Sequence, residues 1–277
     1  MVTTAAVALL VVALGPACGR SPTRPSVPSP PPTGGGVTEQ KCGDGDTYVD
    51  GPYTYSNNQW GRNKVPPGQT YQQCLQARVI GGRRRYGWTF RWPGHEPSVY
   101  AYPEIMFGWT PWGGGSTSDP RFPMQVDGMP PLVVSYDVES VISGYYNLAG
   151  EVWLTRTGGA GAARPADIAT EIMFWLDHDT TMRPAGRNVA TATFDGIAYD
   201  LYKADARTAE ASWTYLAYNG PRARLAGSLR IDAFIRDAVS RGYASADHYV
   251  SGVEFGNECA GGAGTTWVNR YEVRVGG

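Results

Sequence analysis

Apolar positions in this chain recur mostly at a period of two. Residues 169–177 read ATEIMFWLD. Side chains alternate across a strand, so Ile172, Phe174 and Leu176 share one face while Glu171, Met173 and Trp175 share the other. The first set reads as core. The second, an acid beside a thioether and a large ring, suits the floor of a groove that holds a sugar. In GVEFGNE the same alternation sets Val253 and Phe255 opposite Glu254, Gly256 and Glu258, and in GEVWLT it sets Val152 and Leu154 opposite Glu151 and Trp153. Three strands thus bring carboxylates and aromatic rings to one concave surface.

Strand-like stretches fall around 48–60, 72–80, 86–92, 98–109, 132–139, 147–155, 169–177, 189–194, 197–203, 212–218, 248–258 and 266–275. Turn signals such as Asp195-Gly196 and Gly158-Gly159 separate them. A helical period is convincing once: Ile231, Phe234, Ile235 and Ala238 fall on one face, with Ser228 as a cap and Gly242 as a stop. The pattern predicts an all-β, sheet-on-sheet fold with one α-helix. The 36 glycines, 21 prolines and 12% aromatic residues agree with that class.

Charge narrows the partners. The chain carries 24 Lys plus Arg against 25 Asp plus Glu, so no nucleic acid or strongly charged partner is expected. The triplet Arg83, Arg84 and Arg85 reads as a solvated loop. Residues 4–17, TAAVALLVVALGPA, are apolar but too short to cross a bilayer comfortably, and residues 1–18 read as an export signal, although no Lys or Arg precedes the run. Cys18 is either the lipidated cysteine of a bacterial lipoprotein or a bystander to cleavage nearby. Residues 19–36, rich in Pro, Ser and Gly, form a spacer. The working domain is residues 37–277, expected to be a monomer that is secreted or tethered to the outer surface of a bacterium.

Cysteine usage agrees with export: Cys42 and Cys74 flank one hairpin-sized segment and read as a disulfide, with Cys259 left over. No CxxC and no cluster of histidines accompanies them, since His95, His178 and His248 are scattered, so no metal site is expected. Two carboxylates facing each other across a glycoside are the minimum apparatus for hydrolysing it. Each glutamate taken alone reads as a solvated strand residue; the repeated pattern points to chemistry.

The segments EIMFWL and EFGNECAGGAG closely resemble the two glutamate segments of glycoside hydrolase family 12. NNQWG at 57–61, AYPEIMFG at 101–108, VATATFDGIAYDLY at 189–202 and IDAFIRDAVSRGY at 231–243 are similar to that family in the same order. The resemblance implies a β-jelly-roll of two curved antiparallel sheets with a concave substrate cleft. It also implies retaining cleavage of internal β-1,4-glucosidic bonds in cellulose-type, mixed-linkage β-glucan or xyloglucan polymers, with no cofactor.

Carried over residue by residue, Glu171 is the nucleophile and Glu258 the general acid/base. Glu254 falls where the family has a neutral residue such as Gln, roughly 13 Å along the strand from Glu258. Asn58 and Trp60 resemble sugar contacts, Met173 and Trp175 line the centre of the cleft, and Trp112 borders it; Asn147 and Tyr102 are further candidates. Glu151 stands where the family commonly has an Asp supporting the nucleophile. Cys259-Ala260 replaces an aromatic wall on the leaving-group side, which suggests room for a branched chain. The alternative reading is a lectin-like carbohydrate-binding protein on the same scaffold, which keeps the aromatics without turnover.

Overall fold

The computed structural model describes residues 36–94, 98–112, 117–161, 164–209 and 211–276. The expected export segment, Cys18, nearly all of the spacer and His95 lie outside the described residues. Strands β1 (Val37–Lys41), β2 (Thr47–Asp50), β3 (Tyr53–Ser56), β4 (Gln72–Ile80), β5 (Arg83–Trp92), β6 (Glu104–Gly108) and β7 (Met124–Gln125) precede the long strand β8 (Leu132–Thr155). Then come β9 (Ile168–His178), β10 (Arg187–Phe194), β11 (Ile197–Arg207), β12 (Ser212–Asn219), β13 (Ala226–Arg230), the helix α1 (Ile231–Ser240), β14 (Tyr249–Val250) and β15 (Gly252–Val275).

β8 and β15 form one antiparallel ribbon that belongs to both sheets. Around Glu151 and Glu254 it is flanked by β9 and β6, which lead outward to β12, β11 and β10 on one side and to β3 and β2 on the other. Toward Leu132 and Val275 it is flanked instead by β13 and β5, and beyond β5 lie β4 and β1. Two sheets therefore share a spine.

The spine turns its corner at glycine. Gly144 (φ 127°) lies opposite Gly262 (φ 94°), and a Cβ on Gly144 would stand 2.5 Å from the Gly262 Cα. Only glycine fits that approach in that region of backbone space. The sequence pattern divides each ribbon strand in two. In the structure the glycines there bend the ladder and it continues.

Between the sheets lies one core, filled by Trp88 and Phe90 of β5, Tyr136, Val152 and Leu154 of β8, Ile172, Phe174 and Leu176 of β9, and Val253 and Phe255 of β15. Burying each large apolar side chain contributes about 1.5–3 kcal/mol. The alternation expected for β9 and β15 is the observed one. α1 packs Phe234 on Phe174 and Phe194, with ring centroids 4.7 and 4.1 Å away.

Several details differ from the sequence pattern. Ser228 does not cap α1; it belongs to β13, where its hydroxyl bonds that of Ser135. Gly242 (φ 72°) does follow the helix end. Arg83–Arg85 open β5 rather than forming a loop, with Arg84 paired to Glu39 and Arg85 bonded to the Asn269 carbonyl. The sheets are antiparallel except between β9 and β12, which run parallel. Cys42 and Cys74 form the expected disulfide, and Cys259 is a buried free thiol.

Candidate active site

Glu171 on β9 stands opposite Trp153 of β8 and Tyr215 of β12. Glu151 stands opposite Met173 on one side and Glu254 on the other, and Glu258 opposite Asn147. Six positions of β8 separate the rows of Glu258 and Glu171, roughly 20 Å along a flat strand. The sheet is not flat. The two side chains come close enough for the charge of Glu258 to push up the pKa of Glu171.

Beneath the acids lies a second apolar cluster, separate from the main core, containing Trp153, Met173, Trp175, Trp213 and Tyr215 with Trp112 packed against it. The rings of Trp112, Trp153 and Trp213 meet edge to face at 5.2–5.7 Å. Such a floor lowers the local dielectric around every carboxyl placed on it.

Burial is the largest influence on Glu171 and pushes its pKa up to about 8. Opposing it, Trp213 Nε1 donates to Glu171 Oε2 at 2.6 Å, and Glu151 hydrogen-bonds the same carboxylate. Glu151 itself is held well above the carboxylate range, first by burial and then by the charge of Glu171. Glu151 therefore carries the proton in that contact.

Burial pushes Glu258 up to about 7, against the pull of Asn147 and Lys64. Asn147 grips it twice: Nδ2 donates to the Glu258 carboxylate in a short contact, and Oδ1 accepts from the Glu258 backbone N–H at 3.2 Å. Lys64 is pulled down to about 8 by burial; its Nζ lies 4.1 Å from the centre of the Trp60 ring and donates to the Val99 carbonyl at 3.2 Å.

The other expected site residues divide. Asn58 Nδ2 donates to Glu104 Oε1 at 2.9 Å, and its Oδ1 accepts from the Trp60 backbone N–H at 3.3 Å, which ties the Asn58–Trp60 segment to β6. Met173 and Trp175 belong to the floor but are sealed, each 1% exposed, rather than open to solvent. Tyr102 donates to the Ala149 carbonyl at 3.0 Å and lies within the field of Glu151, Glu104, Glu254 and Glu258. Glu254 shares the face but accepts from Trp153 Nε1 at 3.3 Å.

Cys259 packs in the core between the sheets, so it forms no part of a cleft wall. Ala260 is 1% exposed as well, so neither residue opens the leaving-group side to solvent. Sequence reasoning missed Lys64, Glu104, Trp213 and Tyr215. Trp213 and Tyr215 alternate with Leu216 and Tyr218 as the other strands do, so parity was a usable signal for them. Among the described residues no group of three or more His, Cys, Asp or Glu side chains is arranged to hold a metal ion.

A β-sandwich with glutamates gathered on an indole floor of its concave sheet has the layout of a carbohydrate-cleaving enzyme. The sequence profile described as Glycosyl hydrolase family 12 matches residues 51–276, so this chain belongs to glycosyl hydrolase family 12 and is a glycoside hydrolase. Endoglucanase S of Pectobacterium parmentieri is 28% identical over 228 residues, 80% of this chain and 81% of the relative. Among solved structures, a family 12 xyloglucanase from Bacillus licheniformis superposes with a TM-score of 0.75 at 26% identity, covering 86% of this chain and 100% of that one. An endoglucanase from Rhodothermus marinus gives 0.70 at 28% identity, over 86% and 99%.

Proposed function

We propose that this chain is an exported, retaining endo-β-1,4-glucanase that cuts cellulose-type, mixed-linkage β-glucan or xyloglucan chains by double displacement. The observation that carries the reading is the shared face of Glu171 and Glu258, each gripped by its own donor, with the charge of Glu258 reaching Glu171. Glu171 attacks the anomeric carbon while Glu258 protonates the leaving oxygen. Trp213 and the protonated Glu151 stabilise negative charge on Glu171 before the attack. Once Glu171 is esterified its charge is gone, Glu258 releases its proton more readily, and it activates the water that completes hydrolysis.

The free protein holds Glu171 at about 8 and Glu258 at about 7, the reverse of the order that attack requires. A bound saccharide corrects it: a glycosidic oxygen accepting from Glu258 keeps the proton there, and the charge then belongs to Glu171. Asn58 and Trp60 support one end of the bound chain, the indole of Trp60 covering a pyranose face, and Trp112 borders the cleft. Endoglucanase and xyloglucanase relatives support the polymer class. Residues 4–17 and Cys18 support export, with or without a lipid anchor.

Incubation with carboxymethyl cellulose, mixed-linkage β-glucan and xyloglucan tests the reading, with product anomers followed by NMR. Release of β-configured reducing ends by wild type is expected, together with a loss of at least about a thousandfold in Glu171→Gln and Glu258→Gln. Polymer binding without any release would favour the lectin-like alternative instead.

A further inference from the structure

Glu104 and Glu254 are 3% and 6% exposed and take no part in the chemistry described above. They come from neighbouring strands of the concave sheet, Glu104 opposite Gly256 and Glu254 opposite Met106. One oxygen of each has a fixed donor: Asn58 Nδ2 lies 2.9 Å from Glu104 Oε1, and Trp153 Nε1 lies 3.3 Å from Glu254 Oε2. Thr110 also hydrogen-bonds the Glu254 carboxyl, while Glu104 Oε2 and Glu254 Oε1 have no partner at good geometry among the described residues. The two carboxyl groups instead touch each other. Two buried carboxylates in contact repel strongly, and one proton between them satisfies both spare oxygens.

We infer that Glu104 and Glu254 share a single proton, and that this carboxyl pair is a positioning device that bolts the Asn58–Trp60 segment to the floor on which Glu171 is held. The path is continuous. It runs from Asn58 to Glu104, across the shared proton to Glu254, on to the Trp153 indole, by ring contact at 5.7 Å to Trp213, and through the 2.6 Å hydrogen bond to Glu171.

The proton also limits charge. A second negative charge on the pair would push Glu171 and Glu151 further up. The groups facing the pair are Asn58 and Tyr102 ahead of β6, Thr110 beyond it, Glu151 and Trp153 of β8, and Tyr271 of β15. Burial raises both acids of the pair above the ordinary carboxyl range. Stability from the shared proton is therefore full below that range and is lost as pH rises through the folded value.

A glutamine at either position mimics the singly protonated pair, its amide N–H replacing the acidic O–H, but it has no proton to lose. The test compares wild type with Glu254→Gln, measuring kcat/KM on linear β-glucan and the thermal midpoint from about pH 5 to about pH 10. On the alkaline limb, Glu254→Gln should retain at least about threefold more of its own maximal kcat/KM than wild type does. Its thermal midpoint relative to wild type should rise by about 3 °C or more over the same interval.

Superimposable normalised profiles and parallel midpoint curves would overturn the proposal. Should Glu254→Gln fail to fold, Glu104→Gln carries the same expectation. The activity arm rests on the endoglucanase reading and the midpoint arm does not. A protein that cuts no β-glucan at any pH would refute that reading, while the midpoint arm would still decide the shared proton.

Discussion

Trp213 donates its indole N–H to Glu171 at 2.6 Å from β12, the one strand that runs parallel to the strand bearing the acid. A hydrogen bond to a charged group contributes about 1.5–3 kcal/mol, and this one opposes the effect of burial. Trp213→Phe keeps most of the packing on Trp112 and Trp153 but removes the donor. The Glu171 pKa then rises further above that of Glu258, so the alkaline limb of kcat/KM moves to higher pH while the height of the profile falls. A fall in kcat of about 10- to 100-fold is expected, and a pH–rate series on soluble β-glucan measures both effects.

For the free protein, kcat/KM should trace a bell bounded by the values of about 7 for Glu258 and about 8 for Glu171, with its maximum between them. Lys64 lowers the Glu258 pKa. Lys64→Met removes that cation, so the Glu258 pKa rises toward that of Glu171 and the acid side of the bell moves to higher pH. The same change uncovers one face of Trp60 and is expected to alter KM as well as the pH profile. Overlaid profiles of the two proteins check the direction.

Asp232 opens α1 fully buried, accepting two bonds from Arg230, one from Arg236 and one from the Leu132 backbone N–H. Burial pushes its pKa up, yet the hydrogen bonds from Arg230 and the neighbouring charges outweigh it, and the carboxyl lies below its ordinary value. Its stabilisation is therefore present above the unfolded value and is lost as pH falls through the folded one. Both arginines are about half exposed, so solvent screens the pairs. Asp232→Asn should cost about 1–2 kcal/mol at neutral pH, and the difference should shrink in acid. Urea titrations at neutral pH and in acid measure it.

At the corner of the spine, Gly144→Ala places a methyl group 2.5 Å from the Gly262 Cα at a φ that alanine resists. A loss of about 3 kcal/mol or more is expected. Denaturant midpoints of the variant and wild type give the value. An unchanged midpoint would show that the ladder yields at the corner.

What the sequence made legible was local. Two-residue alternation assigned Ile172, Phe174 and Leu176 to the core and Glu171, Met173 and Trp175 to the cleft side, because parity is a property of each strand alone. Partners across strands were not legible. Nothing near Glu171 in the chain names Trp213 as its donor, and nothing near Asn58 names Glu104, since those contacts arise from register. The stretches expected at 132–139 and 147–155, and at 248–258 and 266–275, left gaps that the structure closes, and Gly144, Gly261 and Gly262 lie within those gaps as bends inside continuous strands. Cys259 misled, because its place beside Glu258 in sequence puts it on the opposite face.

The spine has a kinetic consequence. Leu132 must find Val275, and Glu151 must find Glu254, before either sheet has its central pair. Loop-closure entropy of that order is paid in the folding transition state, and all-β domains dominated by distant pairings fold in milliseconds to seconds. β9 and β13 can pair with one edge of β8 as soon as they emerge, but the edge that β15 covers has no mate until β15 itself has been translated. From the end of β8 to the start of β15 the nascent chain presents that one open β edge to its neighbours.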